Sequence, residues 1–149
     1  MGLKERLKSD LTEAIRARDE VRAGTIRMAL TSITNEEVAG KEARILTDAE
    51  IITVLSREAK KRREAAEAYD SAGSKERGDR ERAEGLVIAE YLPSQLSESE
   101  LHEMIKAAIV ETGASGPSGM GQVMKVLSPK IAGRADGSKV SAAVKAALS

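Results

Sequence analysis

Apolar residues recur every three or four positions along most of the chain, with charged residues between them, and this spacing predicts helices throughout. From Leu3 the stripe Leu7, Leu11, Ala14 and Ile15 predicts an amphipathic helix ending near Arg18. Asp19 offers an N-cap for a second helix, whose stripe Ile26, Ala29, Leu30, Ile33 and Val38 runs until Gly40 stops it. The two are expected to form an antiparallel hairpin. The third start is marked twice: Thr47 and Glu50 fit a capping box, and Leu46 and Ile51 occupy the N′ and N4 places of a hydrophobic staple. Its apolar face, Ile51, Ile52, Leu55, Ala59, Ala66 and Tyr69, continues to Ser71-Ala72-Gly73.

The other face of that helix carries Arg57, Lys60, Lys61, Arg62 and Arg63, interrupted by Glu58. Glu64 and Glu67 lie four residues beyond Lys60 and Arg63, the spacing at which opposite charges stabilise a helix surface. The run is therefore read as a solvated face in preference to an interaction patch. After mixed charges from Lys75 to Glu84, the residues Leu86, Val87, Ile88, Tyr91 and Leu92 give a fourth helix an apolar end at about Tyr91. Pro93 restricts the residue before it and ends that helix, and Pro93-Ser94-Gln95 reads as a connection.

Beyond the connection the start devices repeat. Ser97 with Glu100 fits a capping box, Leu96 with Leu101 a staple, and Gly113 a C′ residue, around the stripe Leu101, Met104, Ile105, Ala108 and Ile109. Ala114 to Ser118 connects to a helix with Val123, Val126, Leu127 and Ile131 on one face. Pro129 lacks the amide that would bond Lys125, so a kink or break is expected there. Gly133 suits a left-handed C′ position, and a last helix with Val140, Ala143, Val144 and Leu148 inside starts from Asp136 or Ser138 as its cap. The expected fold is all-α, with an N-terminal four-helix domain over 1–92 and a C-terminal three-helix domain over 93–149.

Composition narrows the chemistry. The 149 residues, 41% hydrophobic and 32% charged, contain no Cys, one His, no Phe, no Trp and two Tyr. The core must come from aliphatic side chains and alanine, and thiolate or histidine-cluster metal sites are excluded within one chain. His102 has no acid-base partner in the pattern and reads as an exposed or edge residue. A charged N-terminus without an apolar h-region, and no apolar run near the ~18 residues a bilayer needs, argue against secretion or membrane insertion and for a cytoplasmic location. With no Walker loop, nucleophile elbow, HExxH or dinucleotide-binding turn, no catalytic residue, cofactor site or metal site is assigned.

Charge changes the picture locally. The chain as a whole is neutral, with 24 basic and 24 acidic residues. Residues 93–113 hold Glu98, Glu100, Glu103 and Glu111 against Lys106, a net of minus three. Residues 114–149 hold Lys125, Lys130, Arg134, Lys139 and Lys145 against Asp136, a net of plus four. Glycines that admit close backbone approach beside spaced cations suit phosphate contact without base readout. Lys125, Lys130, Gly133, Arg134, Gly137 and Lys139 are accordingly the candidate RNA-binding residues. The tail has no aromatic ring on which a base would stack, so a structured RNA fits better than a single strand. The alternative is that the glycines serve backbone geometry and the cations are the polar faces of two small helices.

Met120-Gly121-x-Val123-Met124, the loop Gly133-Arg134-Ala135-Asp136-Gly137 and the following Val140 and Val144 closely resemble the C-terminal tail of GatB, a subunit of the tRNA-dependent amidotransferase. Tyr91-Leu92-Pro93-x-Gln95-Leu96-Ser97 and the helical order resemble the YqeY-like members of the GatB/YqeY family, free-standing proteins that share this tail. The likeness extends over essentially the whole chain. It implies a non-catalytic or accessory module that holds the body of a tRNA. Its alternative is a protein-interaction subunit of an amidotransferase, a carbon–nitrogen ligase with glutamine as amido donor, or of another tRNA enzyme. The kinase-like cradle and Ser/Lys amidase signature of the amidotransferase are missing from this sequence, so resemblance alone supplies no chemistry.

Overall fold

A computed structural model describes residues 2–149. Among them lie seven α-helices, a single 3-10 turn and no strand, so the fold is all-α. The chain divides into two compact units, one ending at Leu92 and one beginning at Pro93.

The first unit contains α1 (Leu3–Arg16), α2 (Glu20–Glu37), α3 (Asp48–Ser71) and α4 (Lys75–Ala89). α1 closes through paired bonds from Arg18 N to the Ile15 carbonyl and from Asp19 N to the Ala14 carbonyl, with Arg18 left-handed at φ 59°. This turn ends the helix two residues earlier than the stripe suggested and leaves Ile15, placed on the apolar stripe from sequence, 52% exposed. Asp19 then caps α2, accepting from Arg22 N. The end of α2 is set by Glu37, whose buried carboxylate takes Lys4 Nζ at 2.6 Å and Leu46 N at 3.2 Å while its carbonyl takes Arg44 N. The chain turns there, so Val38 falls outside the core at 59% exposure and Gly40 is not the stop.

Thr47 and Glu50 form the full capping box of α3. Leu7, Ile26, Ile33, Leu55, Ile88 and Tyr91 meet at the centre of the unit, where burial of apolar surface supplies the main driving force. α3 and α4 form a hairpin joined at Gly73, whose φ of 78° favours glycine. Near its start α4 comes close enough that a Cβ on Gly78 would sit 3.2 Å from the Ala66 carbonyl oxygen. Leu86, expected on the apolar end of α4, is 72% exposed. It stands about 200° around the helix from Ile88, which is buried.

The basic run of α3 does not lie wholly in solvent. Arg62 and Glu58 are buried, 6% and 7% exposed, and pair with each other at 2.7 Å. α3 packs against α1, α2 and α4, so its buried arc is wider than a single stripe and includes these two positions. The i,i+4 pair matches charge with charge, which removes much of the penalty of burial.

The second unit contains α5 (Glu98–Thr112), a 3-10 turn at Pro117–Gly119, α6 (Met120–Ile131) and α7 (Gly137–Ala147). Ser97 and Glu100 complete a second capping box, and Gly113 ends α5 left-handed at φ 65°. Ile105, Ala108, Val123, Leu127, Ile131, Val140, Val144 and Leu148 form its aliphatic core. Pro129 does not break α6, which continues to Ile131. The proline falls in the last turn, and the carbonyl it orphans belongs to Lys125, an exposed residue at which water can replace the bond. Ala132 N still donates to the Ser128 carbonyl at 3.1 Å. Asp136, not Ser138, caps α7, accepting from Ser138 N at 2.8 Å.

Candidate nucleic-acid interface

The loop 132–136 follows from how α6 ends. Ala132 leaves the helix with extended ψ, Gly133 turns left-handed at φ 73°, and Arg134 N returns to the Ile131 carbonyl at 2.8 Å. Three further bonds fasten this loop to residues 93–96, and a fourth, within 93–96, holds the Gln95 side chain in place. Gln95 Nε2 donates to the carbonyls of Gly133 at 2.8 Å and Pro93 at 2.9 Å. Leu96 N donates to the Arg134 carbonyl at 2.9 Å, and Arg134 Nε to the Ser94 carbonyl at 3.0 Å. Two sequence strings some 40 residues apart thus form one piece of structure.

Arg134 is half-buried, and its Nε is committed to the fold. The guanidinium is a rigid planar fork, so fixing Nε also fixes the plane in which Nη1 and Nη2 lie. Those two nitrogens donate to no other group among the described residues. Lys125 on α6 and Lys139 in the first turn of α7 are exposed and have no acidic partner among the described residues. Lys130, near the C-terminus of α6, faces Glu111 at 3.8 Å with both side chains more than half exposed, an arrangement worth little to stability. Lys125 and Lys130 are five residues apart, about 140° around the α6 axis, so no one surface meets both squarely.

The glycines divide. Gly133 is required by its backbone angle, whereas Gly137 is the first residue of α7, with open space around the Cβ a larger residue would add. Asp136 places a carboxylate on the N-terminus of α7, which opposes binding of a second anion there. The groups at this end of the unit with the charge to meet a phosphate are therefore side-chain cations, not the N-terminus of α7. Ser94 and Gln95 are the residues that sequence reasoning missed as part of the site. The string containing Gln95 stood out in the sequence, but nothing local linked it to Gly133.

Elsewhere the most perturbed groups are structural. The Tyr91 hydroxyl donates to Asp10 at 2.5 Å, Arg6 lies 4.7 Å above its ring, and burial together with Asp10 pushes its pKa up to about 12. An open groove of about 260 Å³ is lined by Asp70, Gly73, Lys75 and Arg82, but Arg82 is already bound by Asp70 and Asp79. Among the described residues no group of His, Asp and Glu is placed to hold a metal ion, and no helix is long and apolar enough to cross a membrane. His102 is exposed on α5.

A family model for Yqey-like proteins matches residues 4–148. The chain is also similar to altered inheritance of mitochondria protein 41, mitochondrial, of Pyrenophora tritici-repentis (strain Pt-1C-BFP), with 29% identity over 133 residues covering 87% of this chain and 71% of that protein. Since the family match runs through both compact units and all seven helices, the chain belongs to the YqeY-like family.

Proposed function

We propose that this protein is a non-catalytic accessory module that binds structured RNA, with tRNA the first candidate, through the cations of its C-terminal unit. The observation that carries this reading is the disposition of Lys125, Lys139 and Arg134: two exposed ammonium groups without acidic partners, and a guanidinium anchored by Nε with Nη1 and Nη2 open. Such groups neutralise phosphates by position and charge, and counterion release makes the resulting affinity salt-dependent. The resemblance of the tail to that of GatB supports tRNA as the class. The name of the fungal relative assigns that protein to mitochondria, and the reading here asks only for an aqueous compartment that contains RNA.

The test is fluorescence anisotropy with labelled deacylated tRNA across a salt series. Binding should weaken with rising salt along a slope of roughly −0.9 per phosphate contacted, two to four in all. The double substitution Lys125→Glu with Lys139→Glu should weaken binding at least about tenfold while leaving helicity unchanged, because neither side chain has a partner to lose. Equal affinity in the double variant, or binding insensitive to salt, would falsify the assignment. Docking on an amidotransferase or another tRNA enzyme is the second reading, favoured by Val110, 82% exposed on α5. Co-purification of such an enzyme that survives nuclease and high salt would replace the first reading with the second.

A further inference from the structure

Arg62 is the most buried cation in the first unit, and its donors outnumber its strong acceptors. Nη1 is well served, by the Glu58 carboxylate at 2.7 Å and the Glu58 carbonyl at 3.3 Å. Nε is buried without a hydrogen-bond partner, with the Glu84 carboxylate 3.7 Å away. Among the described residues the one group within reach of Nη2 is the thioether sulfur of Met28 on α2. A thioether is a weak acceptor, so a buried guanidinium, which gains most from charge-assisted bonds, is left with a poor one. Met28 is at the same time 41% exposed, so its side chain stands at the boundary between Arg62 and water.

We propose that Met28 is a reversible oxidation site, at which a peroxide converts the thioether to a sulfoxide whose oxygen is held by Arg62. The Met28 sulfur lone pair attacks one oxygen of hydrogen peroxide, an S–O bond forms and the O–O bond breaks. The departing oxygen takes up the proton of the transferred one and leaves as water. Sulfur loses two electrons and peroxide gains them. The new oxygen is a strong acceptor carrying partial negative charge, and a cationic donor already stands beside it. Three rotatable bonds let the exposed Met28 tip move outward so that the oxygen takes the place of the sulfur. Sulfoxidation usually disrupts packing by adding polarity, but here it adds an acceptor where one is lacking, and methionine sulfoxide reductases return the thioether.

Met104, Met120 and Met124 supply internal controls, since all three pack half-buried against the aliphatic core of the second unit. The full-length protein would be exposed to hydrogen peroxide, with each methionine peptide followed by mass spectrometry over time and Met1, outside the described residues, scored apart. Met28 should oxidise at least about fivefold faster than each of the three controls. Protein oxidised at Met28 alone should melt no lower than the reduced form. Met28→Gln, which presents an amide oxygen at similar reach, should melt at or above Met28→Leu, which presents none. Oxidation of Met28 no faster than the controls, a lower melting point after its oxidation, or Met28→Gln melting below Met28→Leu would each overturn the proposal.

Discussion

Arg18 is the one non-glycine residue among those described with a left-handed backbone, φ 59°. It stands at the C′ position of α1, where glycine costs nothing sterically and a side chain costs about 1–2 kcal/mol. Its backbone bond to Ile15 is independent of the side chain, which is exposed. Arg18→Gly should therefore stabilise the protein, by roughly 0.5–1 kcal/mol once the extra freedom of glycine in the unfolded chain is subtracted. Urea denaturation checks this, and a midpoint that falls would mean the arginine side chain contributes contacts that outweigh its strain. The turn itself was legible in the sequence because Asp19 announces the next helix; the strain was not, because the usual sign of a left-handed cap is a glycine. The burial of Arg62 was hidden in a different way. Its charge placed it with Lys60, Lys61 and Arg63, and only three-dimensional packing of α3 against several helices distinguishes it from them.

Helix starts are where local sequence and structure agree most directly, because a cap is made by residues three apart. Ser97 and Ser74 precede α5 and α4 respectively, yet Ser97 accepts from Glu100 N at 3.1 Å while Ser74 makes no side-chain cap bond. Ser97→Ala should cost about 1 kcal/mol, and Ser74→Ala no more than about 0.5 kcal/mol. Amide exchange resolved to the first turns of α5 and α4 measures both, and equal losses would show that serine at these positions acts through something other than its cap. Helix ends were less legible. α2 stops at Glu37 because Lys4, Arg44 and Leu46 bond to that residue from outside the helix, and the first of these comes from α1. The candidate interface divides in the same way. Gly133 declared a turn from its own identity, but the bond from Arg134 Nε to the Ser94 carbonyl joins distant parts of the chain and leaves no periodic trace.

Across the whole molecule, pH offers a way to separate the two units. Glu37 lies below its ordinary value of 4.5, chiefly through the Lys4 hydrogen bond, and Glu50 does so through the backbone amide of Thr47. For Glu58 the largest influence, burial, pushes upward, but donors from Ser32 and Lys61 with the nearby Arg62 charge outweigh it and the net shift is downward. Asp70 lies below its ordinary 3.8 because Arg82 donates to it. A carboxylate whose folded pKa is depressed contributes stability that is present in full above its unfolded pKa and lost as pH falls through the folded value. Tyr91 has the opposite sign. Raised from 10.0 to about 12, it contributes stability below pH 10 that is lost as pH climbs toward 12. All five groups precede Pro93, so both losses fall on the first unit. The tyrosines, Tyr69 and Tyr91, also lie there, which makes tyrosine emission a reporter of that unit alone, whereas far-ultraviolet circular dichroism follows all seven helices. On acidification below about pH 4 the tyrosine transition should come first, with helical signal from α5, α6 and α7 remaining after it. In the alkaline arm, where tyrosine ionisation itself alters emission, the urea midpoint of the earlier of two circular dichroism transitions should fall between about pH 10 and 12. A single transition shared by both probes in acid would mean that the units unfold together. In that case the buried Glu58–Arg62 pair and the Tyr91–Asp10 bond would govern the stability of the second unit as well as their own.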